Sequence, residues 1–247
     1  MKTLQLIALL SLPFSLLAQE SGVATYSITY GYCALADPQA TLHFNGDKSF
    51  FETTAGPNNT FFLVLHDTLN NSQKRLNSTM ANQSQVYTNL KEGKIITSNS
   101  LFLSEVYFTL EKPNSISWEI HNDTKKIGTY ICNKAIGSFR GREYTAWFTR
   151  DIPVEFGPWK FNGLPGLIIE VVEKGMHVHF VLQSINFPYK QEIEPIVAKN
   201  YLTVSEYLNR FKAEVLERTP DHPARHKPGM KTYIDINTFT ELESPSE

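Results

Sequence analysis

The chain has 247 residues, 12% of them aromatic and 19% charged, with a formal net charge of −2. This balance argues against a nucleic-acid footprint, which needs a basic face. The length suits one large β domain or two small ones.

The opening "MKTLQLIALLSLPFSLLAQE" carries one lysine, an apolar run from Leu4 to Leu17, and then Ala18. That is the pattern of a secretory signal (residues 1–18) cleaved after Ala18. The run is short for a membrane span and is broken by Pro13. Neither cysteine lies near the cleavage point, which argues against an N-terminal lipid anchor, and no later stretch is apolar enough to cross a bilayer. The expected destination is the periplasm or the exterior. There Cys33 and Cys132 form an even pair, either bridged or buried as two thiols.

From Ala24 onward the chain reads as a succession of strands. "ATYSITYGY" alternates, with Ala24, Tyr26, Ile28, Tyr30 and Tyr32 on one face. "TLHFNGDKSFFE" predicts a hairpin turning at Asn45-Gly46. "TFFLVLHD", "QVYTNLKEGKIITS" with a turn near Gly93, "LFLSEVYFTL", "SISWEI", "TYICNKAIGSF" and "REYTAWFT" follow, and "LIIEVVE" and "MHVHFVLQSI" complete the series. The polar, amide-rich stretch from Asn70 to Ser84 predicts a loop. "TVSEYLNRFKAEVLER" predicts a helix over 203–217, with Thr203 and Glu206 as capping box and Val204, Tyr207, Leu208, Phe211 and Val215 on one face. Residues 219–247 read as a Pro-rich linker and a frayed acidic tail. Residues 19–218 then form one β-rich domain.

"GPWKFNGLPGLIIEV", Gly157 to Val171, interrupts the pattern. Pro158 removes a donor, so a regular strand cannot run through it. Pro165, Gly163 and Gly166 are turn formers, yet Trp159, Phe161, Leu164 and Leu167 are too apolar for an exposed loop. The segment predicts a buried, irregular corner feeding a strand from Leu167. The competing functional reading is an exposed apolar lip of Trp159, Phe161 and Leu164 at a ligand or partner site, with Arg140 and Arg142 at a nearby hairpin turn able to grip a carboxylate or phosphate.

These residues carry a resemblance. "GLPGLI" at Gly163–Ile168, together with "YICNKA", "FRGREYTAWFT", "DIPVEFGPWKFNGLPGLIIEV" and "HFNGDKSFF", resembles the GLPGLI family (Porph_ging domain) of exported Bacteroidetes proteins. The resemblance covers most of Val23 to Ile185 and weakens from Phe187 onward. It implies no assigned biochemical activity. It does imply an envelope setting near TonB-dependent outer-membrane receptors.

Candidate chemistry is sparse. No nucleophile elbow, Walker loop, HExxH or paired-Cys motif is present. Cys132 as a nucleophile competes with Cys132 as a buried or bridged residue. If Lys174-Gly175 is a two-residue hairpin loop, Glu170 faces His179 and shares a polar face with His177. Two imidazoles and a carboxylate there could hold Zn²⁺ or Cu²⁺, against a plain cross-strand pair. Asn-x-Ser/Thr triplets such as Asn77–Thr79 reflect composition. Asp67–Leu69 resembles a short Bacteroidetes O-glycosylation motif.

The expected architecture is mainly β: a curved antiparallel sheet or open barrel of about ten strands with one C-terminal amphipathic helix, a two-sheet sandwich being the alternative. The first functional expectation is a non-enzymatic binding or carrier module, without cofactor, for an apolar ligand or an outer-membrane partner. A metal-binding envelope protein and a hydrolase without recognisable motif are the alternatives.

Overall fold

In the computed structural model, the described residues are 20–30, 39–54, 60–67, 72–79, 84–99, 106–113, 116–176, 178–218 and 234–236. The strands in chain order are β1 (Ser21–Tyr30), β2 (Gln39–Asn45), β3 (Lys48–Thr54), β4 (Thr60–Asp67), β5 (Ser72–Thr79), β6 (Gln85–Asn89) and β7 (Lys94–Asn99). Then come β8 (Tyr107–Glu111), β9 (Ser117–Ile127), β10 (Tyr130–Phe139), β11 (Arg142–Thr149), β12 (Leu167–Glu173) and β13 (Val178–Asn186). The helix α1 (Val204–Arg218) and β14 (Ile234–Ile236) complete the chain order.

Eleven strands form one antiparallel sheet in the order β8-β7-β6-β3-β2-β1-β13-β12-β11-β10-β9. This is the expected mainly-β open architecture, and β14, β4 and β5 form a separate three-stranded sheet. The alternation in β1 follows from its role at the sheet's centre. Ala24, Tyr26 and Ile28 are buried, and the Tyr26 hydroxyl donates to the Ile168 carbonyl at 2.8 Å. Burial raises the phenol's pKa far above its ordinary value, so it stays a neutral donor.

The connectivity requires the sheet to roll. β8 and β9 are its two opposite edges, yet they are consecutive in the chain. Laid flat, eleven strands about 4.8 Å apart would separate those edges by about 48 Å. The six steps from Glu111 to Ser117 reach at most about 21 Å. The sheet therefore curls until its edges approach one another, and the five-residue link crosses the seam between them. No hydrogen-bond ladder closes that seam.

Inside the curl lies one large aromatic and aliphatic core, into which Ile152, Val154, Phe156, Trp159, Phe161 and Leu164 also pack. Outside it, the irregular segment 187–203 crosses the sheet as a strap. Tyr189, Ile193 and Ile196 cover Phe50, Tyr87 and Ile96. Leu202 then pairs in parallel with Thr109 along the free edge of β8, its amide donating to the Phe108 carbonyl at 2.8 Å. α1 follows, and its predicted capping box forms: Glu206 accepts from the Thr203 amide at 2.7 Å and donates its own amide to the Thr203 hydroxyl at 3.2 Å.

Three local expectations are corrected. The hairpin after β2 turns at Gly46-Asp47, one residue later than Asn45-Gly46, because Asn45 itself pairs with Lys48 and the left-handed φ falls on Gly46 at 57°. The predicted loop from Asn70 to Ser84 contains β5, which pairs with β4 along its whole length. Its polar sequence hid it because the ladder to β4, rather than apolar alternation, defines the strand. Ile234–Ile236 pairs with Leu63–Leu65 on the other side of β4, so the C-terminal tail also contributes a strand.

Candidate functional site

The corner between β11 and β12 is built from residues 150–166. Its backbone hydrogen bonds are largely its own, as a buried irregular segment requires. The Leu167 amide donates to Ile152 at 2.9 Å, Ile168 to Phe156 at 3.0 Å, and Gly163 to Glu155 at 3.1 Å. Trp159 and Phe161 are buried with their rings edge-on at 5.5 Å, and Phe161 also meets Tyr144 at 4.9 Å. Leu164 is equally buried. The candidate lip is thus turned inward, and Trp118 donates its indole N–H to the Asn162 carbonyl at 2.9 Å.

Backbone conformation explains the turn formers. Gly166 has φ 156°, and a Cβ there would lie 2.0 Å from the Thr149 carbonyl oxygen, so a side chain is sterically excluded. A Cβ at Gly157 would press into the Ile168 side chain at 2.7 Å. Gly163 is exposed at φ 88°. Pro158 is buried and Pro165 exposed. Trp159 itself adopts a φ of 55°, a left-handed conformation costing a bulky residue about 1–2 kcal/mol.

Between Trp159 and Phe161 stands Lys160, with a side chain only 1% exposed. Its ammonium donates to one oxygen of Glu111, and the Arg140 guanidinium donates to the other. Burial pulls the Lys160 pKa down to about 8, with Arg140 adding to that effect and Glu111 opposing it. Arg140 also lies over the Phe139 ring at 4.7 Å. Arg142 sits beside Tyr144, whose phenol is pushed upward by burial. Glu111 belongs to one edge of the sheet, while Arg140 turns the hairpin next to the other edge. The three charges therefore clasp the seam. A lysine inside "GPWKFN" was the sequence signal for this: a cation in so apolar a stretch requires a buried counter-charge.

Glu170 and His179 meet, but not in the expected register. Val172 pairs with His179, and Glu170 pairs with Val181, a two-residue shift that preserves the faces. The turn is four residues long because Met176, at φ 59°, donates its amide to Glu173 at 2.8 Å. Glu170 and His179 reach each other diagonally at 2.9 Å. Lys125 of β9, lying 4.4 Å over the Trp147 ring, donates to the other Glu170 oxygen. The hydrogen bond from His179 and then the one from Lys125 hold Glu170 below the usual carboxylate range. His177 lies outside the described residues. Among the described residues no three His, Cys, Asp or Glu side chains converge as metal ligands. Glu170 and His179 could supply two ligands, but Lys125 already occupies Glu170. Sequence reasoning missed Lys125 because it arrives from three strands away in the sheet.

Cys132 is a free, buried thiol, and burial pushes its pKa up to about 11. That suits an inert core residue rather than a nucleophile. Cys33 lies outside the described residues, as do Thr68 and Leu69 of the Asp67–Leu69 triplet, while Asn77–Thr79 is the end of β5.

An open cleft of about 830 Å³ lies where the β2–β3 and β6–β7 turns meet the strap. Asn45, Lys48, Asn89, Lys91, Lys190 and Gln191 are among its lining residues. Asn89 is buried and fixed, its side-chain oxygen accepting from the Glu92 amide at 2.9 Å. Lys48 and Glu192 face each other at 3.7 Å.

The geometry defines an open β-barrel scaffold, filled by its own corner and clasped by buried charges. Residues 138–170 match a family model described as a protein of unknown function (Porph_ging). That span takes in Arg140, Lys160 and the whole corner. No curated protein matches the chain. Among solved structures, the chain is similar to PNGF-II in its C2 space group, with a TM-score of 0.48 and 17% identity over 70% of this chain and 28% of that one. It is similar also to PNGF-II in the P21 space group, with a TM-score of 0.47 and 16% identity over 70% and 29%. The chain spans under a third of those chains.

Proposed function

We propose that the chain is a non-enzymatic binding module of the cell envelope, exported by its first 18 residues, that engages a polar protein partner through the cleft between the hairpin turns and the strap. The observation that carries this reading is the cleft itself, about 830 Å³ and lined by lysines, carboxylates and amides. Its polarity favours a protein partner over an apolar ligand. The interior of the sheet, where an apolar ligand would sit, is filled by Phe156, Trp159, Phe161 and Leu164. The high pKa of the Cys132 thiol supports the non-enzymatic side of the reading. Gly163–Ile168 spells the signature of the GLPGLI proteins of Bacteroidetes, and that setting makes a TonB-dependent receptor system the first partner to test.

The test is a photo-crosslinking residue at Gln191, in the cleft, compared with one at the exposed Lys174 across the molecule. The expected result is an adduct with one envelope protein from Gln191 alone. The same adducts from both positions, or none from Gln191, overturn the reading.

A further inference from the structure

The strap passes over a histidine. His43 alternates along β2 with the core residues Leu42 and Phe44, so its ring faces outward, between Val23 of β1 and Phe50 of β3. Tyr189 of the strap covers it, the two ring centroids 4.9 Å apart. The His43 side chain is 22% exposed, yet its Nδ1 reaches neither solvent nor a hydrogen-bond partner among the described residues. The other side of this contact is tied to the cleft. The Tyr189 hydroxyl donates to the Gln191 side-chain oxygen at 3.2 Å, and Gln191 lines the cleft with Lys190, Glu192 and Ile193.

A neutral ring with its proton on Nε2 leaves only a lone pair at Nδ1. Protonation places an N–H there. A sealed, unpaired donor on a cation is costly, and the cost is relieved when water reaches it. Tyr189 is the strap residue that stands in the way. The surrounding charges do not reverse this. Glu52 of β3 stands 3.9 Å from Nε2, the ring's other nitrogen, and favours the cation. Lys48 of β3 is engaged with Glu192 of the strap at 3.7 Å, and Lys190 of the strap is exposed. β1 presents the uncharged Val23 and Thr25 on this side. Burial outweighs Glu52 and holds the His43 pKa below its ordinary value.

We propose that His43 is a pH-sensitive latch: its protonation in mild acid lifts Tyr189 and loosens the strap from β2 and β3. Because strap residues line the cleft, acid then dismantles the cleft. That consequence rests on the binding role proposed above, whereas the latch is measured with no partner present. The test is NMR of the full chain, titrated from about pH 7.5 to about pH 5. The readouts are the His43 ring shifts, the contact between the His43 and Tyr189 rings, and the methyl shift of Ile193, which is buried against Tyr87 and Ile96. As His43 titrates, the ring contact should be lost and the Ile193 methyl should move to its solvent-exposed shift, with the same midpoint. In His43→Phe the Ile193 methyl should stay in place throughout. In Tyr189→Ala, which uncovers Nδ1, the His43 midpoint should rise toward about 6.5, the value of an unperturbed imidazole. A His43 that titrates beneath an unmoved strap overturns the proposal, as does one that stays neutral down to pH 5. So does an Ile193 methyl that moves equally in His43→Phe, or a midpoint that Tyr189→Ala leaves unchanged.

Discussion

Glu111 and Arg140 are bound to each other across the seam of an open barrel, 29 residues apart in the chain. Lys160 completes the clasp from the corner that fills the interior. Rolling the sheet leaves edges that hydrogen bonds do not join, and buried charges join them instead. The arrangement costs desolvation of three charges, which only close pairing offsets.

Lys160 gives the clasp a pH signature. Its folded pKa of about 8 lies below that of an unfolded lysine, so the unfolded chain binds the extra proton. Stability should therefore rise with pH from about 8 toward 10, at up to about 1.4 kcal/mol per unit. Denaturant unfolding of wild type and Lys160→Met at pH 7, 8.5 and 10 isolates this contribution. A constant difference between them would show that the ammonium is not desolvated as described.

Glu170 should act on the acid side. Its pKa is held below the unfolded value, so its stabilisation is complete above the ordinary carboxylate range and is lost as pH falls through the lower folded value. Glu170→Gln should be less stable than wild type at pH 6, and the two should converge once the pH has fallen below the lowered folded value. Parallel acid-unfolding curves for the two proteins would reject the assignment.

The same carboxylate bears on metal binding. With the Lys125 ammonium on one oxygen, Glu170 and His179 supply among the described residues at most two of the three or four ligands Zn²⁺ takes, and metal would have to displace Lys125 and recruit His177. Calorimetry should detect no stoichiometric Zn²⁺ or Cu²⁺ uptake by wild type. Tight one-to-one uptake, lost in His179→Ala, would revive the metal centre.

Two glycines of the corner should differ sharply. Gly166→Ala must displace the Thr149 carbonyl and should cost more than about 3 kcal/mol, or prevent folding. Gly163→Ala meets an exposed left-handed backbone and should cost about 1 kcal/mol. Thermal unfolding of both variants, compared with wild type, checks the order.

Trp159→Ala should cost about 3–5 kcal/mol, the range for truncating a buried large aromatic. The loss should appear without any ligand. A melting temperature within a degree or two of wild type would return Trp159 to the surface as a recognition residue.

Much of this was legible in the sequence because each signal was local. The alternation of Ala24, Tyr26 and Ile28, the Thr203–Glu206 cap, and prolines and glycines among large apolar residues all report nearest-neighbour physics. The failures lie where distant partners decide. The Glu170 register depended on Met176 taking the left-handed φ, and nothing in "EKGMH" distinguishes it from Gly175. Lys125 and Glu111 could not be assigned, because the curl that delivers them is a property of eleven strands together. β5 was invisible because its ladder to β4, not a hydrophobic face, defines it.

β1 pairs with β2 on one side and with β13 on the other, the latter joining Val23 to Asn186 and Tyr30 to Val178. A chain emerging N-terminus first therefore exposes one flank of its central strand until residues 178–186 appear. Three-quarters of the polypeptide must be delivered before the sheet can become continuous. Closing so long a loop is slow. Until then the hairpins of the first half can form but lack the residues of β10 to β13 that complete their shared core.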